Sequence, residues 1–178
     1  IDYAAQAIDG IVPAISGNIA VAKDKNGEVY KNKIYTAEYS SVNKPIAVLV
    51  NGATAGPAEL FACDLRDISQ ALVIGTKTAG VGTMQELFAL EDGGAVLLTV
   101  ALVEPKNGAE AVYHGKGIDP TTEVSLATGN EIDVDLLTDE QDNQLMTAFN
   151  MLAAIVLLIK FIVILLLYRI ILPIVSYF

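Results

Sequence analysis

The segment from Lys44 to Gly75 constrains the fold most, because it predicts a strand, a turn, a helix and a second strand with short connections. Its first part, "KPIAVLV", is a continuous apolar run of strand length, which favours a strand buried on both faces. Gly56 to Glu59 fit the N-cap and first three positions of a helix that runs to about Asp67. "ALVIG" predicts the next buried strand. Two strands joined in this way imply a right-handed parallel crossover, so the sequence predicts an α/β fold with parallel βαβ units.

Antiparallel pairs are predicted on both sides of this unit. "NIAVAKDKNGEVY" alternates around Asn26-Gly27, which is the strongest short hairpin signal. Met84–Leu90 and Ala95–Val103 are predicted to pair around the turn "EDGG". Tyr3 to Val12 is typical of the end of a helix. A β-hairpin therefore accompanies the parallel unit in the predicted fold.

The last part of the chain differs from the rest. From Met151 to Phe178 the sequence is apolar apart from Lys160, Arg169 and a few hydroxyl residues, and it is long enough for the ~20 residues that a bilayer span needs. We therefore predict two regions: an α/β body at residues 1–149, and an apolar helix at residues 150–178 that spans a membrane. The alternative is that the tail is a gene-fusion or reading-frame artefact.

Charge and composition exclude several classes of function. All 21 acidic residues precede Asn143, and the first 150 residues carry a net charge of 9 − 21 = −12, so the body should repel nucleic acid. One cysteine and one histidine leave no internal disulfide and argue against a thiolate zinc site. We therefore expect no metal and no cofactor. The acidic run from Glu131 to Asp142 is interpreted as a solvated linker.

The chain ends suggest a location. The chain begins at Ile1 rather than Met, so we expect a missing upstream piece, of which a signal peptide is one candidate, and the N-terminus itself does not tell the location. An acidic segment before the apolar tail and Arg169 near its end favour a body outside the membrane and a C-terminus inside. We therefore expect an extracytoplasmic, membrane-anchored protein.

Four segments in the body form a recognisable series. They are "PIAVLVNGATAGPAELFACDLRD", "IGTKTAGVGTMQ", "LEDGGAVLLTVALVEPKNG" and "HGKGIDPTTEV". Their order and spacing resemble the C-terminal processing (tail-specific) peptidases, which are serine proteases, over roughly Tyr3 to Phe149. The resemblance implies a crotonase/ClpP-like α/β core and, as partners, peptide or protein C-terminal segments. It also implies a peptide-binding PDZ module and a further strand upstream of Ile1.

The resemblance assigns two positions to the reacting groups. The family's turn is similar to S-A-S-A-S-E with the middle serine as nucleophile, and aligning Glu59 with its glutamate puts Gly56 at that serine. The family's later loop is similar to F-G-K-G-S/T-x-Q, and "AGVGTMQ" puts Val81 at the lysine that acts as the base. Gln85 matches the supporting glutamine and Asp67 the acidic residue on the nucleophile's helix.

The two substitutions remove the chemistry of the reacting pair. A serine hydroxyl is a poor nucleophile unless a neighbouring base takes its proton. Gly56 has no hydroxyl and Val81 has no amine, although Gln85 and Asp67 are retained. We therefore predict a catalytically degenerate, peptide-binding relative of the serine-type peptidases, and whether the chain is itself an enzyme stays open.

Four other residues were weighed as replacements for the reacting pair. Thr54 matches the first, non-nucleophilic serine of the turn, and a hydroxyl there is expected to hydrogen-bond the turn. Lys77 and the lone His114 are interpreted as loop residues. Cys63 lies on an apolar stretch of the predicted helix and is interpreted as a buried, inert thiol.

Two alternative functions and one binding feature remain. The first alternative is an active peptidase that uses Thr54 or another group. The second is a crotonase-type acyl-CoA enzyme, because "NGATAGPAELFACDL" also resembles the turn and helix of enoyl-CoA hydratases. The binding feature is the helix N-terminus at Gly56, where free backbone N–H groups are expected to suit a peptide carbonyl or carboxylate.

Overall fold

The computed structural model describes residues 1–13, 17–38, 42, 44–106, 112–126 and 137–175, with side chains described as far as residue 165. The chain divides into two compact units, Ile1–Ser125 and Leu126–Phe178. The described part contains these helices and strands: α1 (Asp2–Asp9), β1 (Asn18–Lys23), β2 (Val29–Thr36), β3 (Ala47–Val50), α2 (Pro57–Ser69), β4 (Leu72–Gly75), β5 (Thr83–Ala89), β6 (Ala95–Pro105), β7 (Thr122–Glu123) and α3 (Asn143–Val175).

The first unit contains two sheets. The larger sheet is antiparallel, in the order β2-β1-β6-β5, and the smaller is parallel, in the order β3-β4-β7. The predicted β1–β2 hairpin, the predicted β5–β6 pair and the parallel pairing of β3 with β4 are therefore confirmed. β7 is a further strand of only two residues, which pairs with Ile74 and Gly75 of β4.

The α2 helix connects the two parallel strands β3 and β4 along the chain, and its buried side chains form much of the core. Gly56 is its N-cap, Pro57 its first residue and Glu59 its third, as the sequence predicts. Leu60 and Leu65 on this helix are fully buried and belong to the same cluster as side chains from α1, β1, β4 and β6. Each such leucine stabilises the fold by about 1.5–3 kcal/mol relative to an exposed position.

The expectation that β3 is buried on both faces is wrong. Val50 is buried and Val48 packs partly against the core cluster, so the face that carries them is covered. Ala47 is only partly buried and Leu49 is 39% exposed, so the opposite face is less covered. Successive side chains of a strand point to opposite faces, and an apolar run does not tell how many of those faces are covered.

The second unit contains the long apolar helix α3. Its start follows a turn at Thr138–Asp142, where the Asp142 side chain accepts a hydrogen bond from the Leu145 N–H (2.9 Å). The part from Asn143 to Leu165 has a mean hydropathy of 2.6 and is long and apolar enough to cross a membrane, by length and composition only. The predicted boundary at residues 149 and 150 falls within α3. Residues 131–136, which make up half of the acidic run predicted to be a linker, lie outside the described residues.

Candidate functional site

The turn between β3 and α2, residues Asn51–Gly56, has the backbone of a nucleophile turn without a nucleophile; we call it the vacated turn. Gly56 has φ 59° and ψ −120°, a conformation that side-chain-bearing residues adopt at a cost of about 1–3 kcal/mol. Enzymes with a strand–nucleophile–helix turn use such strained geometry to present the reacting side chain. Among the described residues other than its chain neighbours, a Cβ atom at Gly56 would come within 4 Å of the Val81 carbonyl oxygen alone, at 3.7 Å. There is therefore room for a side chain.

The loop between β4 and β5 brings Val81 to the vacated turn. The Val81 carbonyl oxygen lies 3.7 Å from the position of a Cβ atom on Gly56, so the Val81 backbone adjoins the start of any side chain there. The Val81 side chain is 42% exposed, so it reaches the protein surface beside the turn. The structure therefore puts the predicted nucleophile and base positions next to each other, although 25 residues separate positions 56 and 81.

A single carboxylate holds both positions. Glu59 is completely buried, and its Oε2 accepts hydrogen bonds from the N–H groups of Gly56 (3.0 Å) and Val81 (2.7 Å). Its Oε1 accepts from the Gly80 N–H (2.7 Å) and from the Thr78 hydroxyl. A carboxylate accepts but does not donate, so it suits four donors. Glu59 thereby ties the start of α2 to the β4–β5 loop.

A second set of contacts extends this network. The Thr78 hydroxyl accepts a hydrogen bond from the Ile118 N–H (2.7 Å), and the buried Tyr113 hydroxyl donates to the Gly56 carbonyl (3.3 Å). Burial, followed by the nearby Glu59 charge, raises the pKa of Tyr113 above its usual range, so this hydroxyl keeps its proton and donates. The segment from Tyr113 to Ile118 therefore contacts the vacated turn through Tyr113 and the β4–β5 loop through Ile118.

Sequence reasoning used Glu59 to align the motif and as the third residue of the helix, and missed its role in joining two loops. A glutamate at the third helical position that reaches back to the N-cap N–H is visible in a sequence as half of a capping box. Its contacts with Thr78, Gly80 and Val81 depend on tertiary structure. The sequence alone therefore predicts only the contact between Glu59 and the Gly56 N–H.

The expectation of free N–H groups at the start of α2 is wrong. The Gly56 N–H is bound to Glu59, and Pro57 has no N–H. The N–H groups of Ala58 and Glu59 donate to the carbonyl oxygens of Ala55 (3.3 Å) and Gly56 (3.0 Å). In hydrolases with this kind of turn, the N–H of the residue after the nucleophile binds the oxyanion. Here that residue is Pro57, so this donor is missing as well.

The two supporting residues have no described hydrogen bond to Gly56 or Val81. Asp67 lies eleven positions beyond Gly56, or about 16 Å along the helix axis, where its Oδ1 accepts from the Arg66 Nε (2.7 Å). Gln85 is exposed on β5, and its side chain has no hydrogen bond with Gly56 or Val81 in the described part of the chain. Their proposed family roles stay predictions.

The four residues weighed as replacements have structural contacts. The Thr54 hydroxyl accepts from the Asn51 N–H (3.0 Å) within the turn, and His114 Nδ1 accepts from the Gly82 N–H (3.3 Å). Lys77 forms an ion pair with Asp119 (3.0 Å). Cys63 is buried, and burial raises the pKa of its thiol to about 12, so the thiolate is scarce at neutral pH. Among the described residues no group of three or more His, Cys, Asp or Glu side chains is placed to hold a metal ion.

Comparison with known proteins gives a consistent group of relatives. The sequence model of "Peptidase family S41" matches residues 1–124. The carboxy-terminal processing protease CtpA of Bacillus subtilis is 38% identical over 109 residues, which are 61% of this chain and 22% of that protein. A carboxyl-terminal-processing protease of Picosynechococcus is 44% identical over 71 residues, 37% of this chain and 17% of that protein. The chain thus spans about a fifth of the length of these curated relatives.

Two solved structures share the fold. The photosystem II D1 C-terminal processing protease superposes with a TM-score of 0.61 at 28% identity, over 70% of this chain and 31% of that chain. A lipoprotein from Streptococcus agalactiae superposes with a TM-score of 0.53 at 27% identity, over 71% of this chain and 46% of that chain.

Proposed function

Since the chain belongs to peptidase family S41 and is homologous to the C-terminal processing proteases, we propose that it binds peptide or protein C-terminal segments without cleaving them. The observation that carries this proposal is the pairing of Gly56 with Val81. Both backbones are held in place by Glu59, while both reacting side chains are missing.

The frame around the missing pair is ordered. A serine nucleophile needs a base within hydrogen-bonding reach, and an amine acts as that base only when its pKa is lowered by its surroundings. Neither group is present at positions 56 and 81, and Pro57 removes the donor that would face a developing oxyanion. The chain therefore lacks three parts of an acyl-transfer site and keeps the backbone that would position them.

The partners proposed for this chain follow from its relatives. The relatives are named for processing the carboxyl termini of proteins, so the ligand class is an extended peptide or protein C-terminal segment. We propose in addition that the first unit is a crotonase/ClpP-like core. Its parallel β3–α2–β4 unit supports this.

Neither alternative function has support from the site. A nucleophilic Thr54 would need a base, whereas its hydroxyl accepts from the Asn51 N–H and donates to the Asn51 side-chain oxygen. The acyl-CoA alternative rests on the sequence of a single turn, and the start of α2 offers no free N–H group from Gly56 to Glu59 to hold a thioester oxyanion.

Fluorophosphonate labelling, which reports an activated serine, tests the proposal. We expect no labelling of the parent chain or of either single variant, Gly56→Ser or Val81→Lys. The double variant should label, because a nucleophile and its base act as a unit. Adding Pro57→Ala should speed labelling by about 10²–10³, the contribution of one oxyanion donor.

The matched control is Gly56→Ala with Val81→Lys, which introduces similar strain and the same lysine without a hydroxyl. Labelling of the parent chain, or labelling that maps to Thr54, would show that the chain is an active peptidase.

A further inference from the structure

A basic pocket of about 450 Å³ opens on the first unit; the residues that matter here are Cys63, Arg66, Lys77, Tyr113, Lys116 and Asp119. Three of these six side chains are cationic, although the first 150 residues hold only nine basic residues against 21 acidic ones. Positive charge gathered in one concave place attracts anions locally, even on a protein whose net charge repels them.

Backbone hydrogen bonds hold the two segments that carry Lys77 and Lys116. The Gly117 N–H donates to the Tyr113 carbonyl (2.8 Å), and the Thr78 N–H donates to the Ile118 carbonyl (3.2 Å). Gly117 has φ +73°, and a Cβ there would lie 2.3 Å from the Thr78 carbonyl oxygen, so only glycine allows the two segments to approach this closely. Lys77 precedes Thr78 and Lys116 precedes Gly117, so both lysines start from fixed positions.

The positive charge is available to a ligand. Lys116 is exposed and has no ion pair in the described part of the chain. Lys77 pairs with Asp119, but both side chains are more than half exposed (54% and 76%), and pairs of this kind are worth little. Arg66 is paired with Asp67 through its Nε (2.7 Å) and Nη2 (3.4 Å), which offsets most of its charge, so Lys116 and Lys77 supply the positive charge that a ligand meets.

Three apolar or weakly polar residues, Cys63, Tyr113 and Ile118, also line the pocket and expose little of their own surface. A ligand with an anionic head and a short apolar body matches this arrangement. Charge-assisted hydrogen bonds from lysine and arginine are the usual means of holding a carboxylate, and the volume lies within the range of ligand pockets.

We propose that the basic pocket binds the C-terminal carboxylate of a peptide. This inference rests on the proposed function, and Tyr113 connects the two sites because it lines the pocket and donates to the Gly56 carbonyl (3.3 Å). The pocket and the vacated turn therefore share a wall, and the carboxylate would orient the end of a peptide beside the turn.

A titration of the full chain in detergent micelles tests the pocket with N-acetyl-leucine and, as its uncharged match, N-acetyl-leucine amide. We expect the acid, but not the amide, to shift the backbone NMR resonances of Lys116 and Gly117. Lys116→Gln should weaken binding of the acid about tenfold, the value of one charge-assisted hydrogen bond. Lys25→Gln, at an exposed lysine in the β1–β2 turn, is the matched control and should change nothing.

A parallel titration with one hexapeptide, carrying either a free or an amidated C-terminus, separates the two proposals. Equal binding of both forms, with the pocket resonances unmoved by N-acetyl-leucine, overturns the pocket and leaves peptide binding intact. Binding of N-acetyl-leucine that depends on Lys116, with no binding of either hexapeptide, supports the pocket and overturns the proposed function. A loss with Lys25→Gln equal to that with Lys116→Gln also overturns the pocket.

Discussion

At the residue scale, Glu59 explains how the turn before α2 and the β4–β5 loop are held together. Its two oxygens accept from three backbone N–H groups and one hydroxyl on two different segments. Fixed backbone positions do not depend on the side chains that stand on them. The backbones of Gly56 and Val81 are therefore held side by side, as our proposal of a vacated catalytic pair requires.

We expect Glu59→Gln to destabilise the first unit by about 2–4 kcal/mol. The amide has nearly the same shape, but its NH2 group would face N–H donors, and at least one buried donor would lose its partner. Thermal or urea unfolding measures the change, with Glu28→Gln in the exposed β1–β2 turn as control. Equal stability of the two variants would contradict the role assigned to Glu59.

Asp64 provides a prediction about pH. Its carboxyl is buried, its Oδ1 accepts from the Lys106 N–H (2.9 Å), and its Oδ2 has no hydrogen-bond partner among the described residues. Burial raises its pKa to about 7, with Asp67 adding to the rise and Lys106 opposing it. An unfolded aspartate has a pKa of ~3.9. Between these values the folded state binds the extra proton, so this group makes the stability fall as pH rises from about 4 to 7 and adds no further change above that.

The Asp64→Asn variant should lose this part of the pH dependence, because its side-chain oxygen still accepts from Lys106 and no charge has to be buried. The measurement is the free energy of unfolding between pH 4 and 8. Asp92→Asn, in the exposed β5–β6 turn, should keep the slope of the parent chain. An Asp64→Asn slope that equals the parent's would show that Asp64 does not titrate in this range.

At the element scale, β3 shows where sequence patterns reach and where they stop. The run from Lys44 to Val50 correctly predicts a parallel strand before the helix, because apolar runs of this length favour buried strands. It does not predict that Leu49 is exposed. Which face is covered depends on what α2 and the other core elements reach, and that is a property of the assembled fold.

A matched pair of substitutions tests this assignment of the two faces. Val48→Asp puts an unpaired charge against the core cluster and should cost several kcal/mol of stability. Leu49→Asp puts the same charge on the less covered face of the same strand, where water reaches it, and should cost clearly less. Urea unfolding compares the two variants, and similar losses for both would contradict the assignment.

Longer-range features of the first unit were predicted unevenly. Motif spacing correctly indicated that positions 56 and 81 belong together, since each lies in a segment with its own recognisable pattern. β7 escaped prediction because two residues carry no periodicity, and the Glu59 network escaped because its donors come from a separate loop. The free N–H groups expected at Gly56 were wrong because the Glu59 side chain, only three residues away, uses the donor.

At the scale of the whole molecule, the family match and the apolar helix occupy different parts of the chain. The match ends at residue 124, whereas α3 begins at Asn143. The first unit and the acidic segment after it carry all the acidic residues. Between Asn143 and Leu165, α3 has one charged residue, Lys160. We propose that α3 anchors an extracytoplasmic body to a membrane, with its length, its hydropathy, the acidic segment before it and Arg169 near its end as support.

Extraction from membranes tests the anchor. The intact chain should remain in the membrane pellet after a carbonate wash. Leu157→Arg with Ile162→Arg should release it into the supernatant, because each arginine near the middle of a span costs about 2.5–3.5 kcal/mol of insertion free energy. Leu87→Arg with Leu97→Arg makes the same change at two exposed leucines of the β5–β6 hairpin, so this control should stay in the pellet. Recovery of the intact chain in the wash supernatant would rule out a spanning helix, and release of the hairpin variant would move the membrane contact to the first unit.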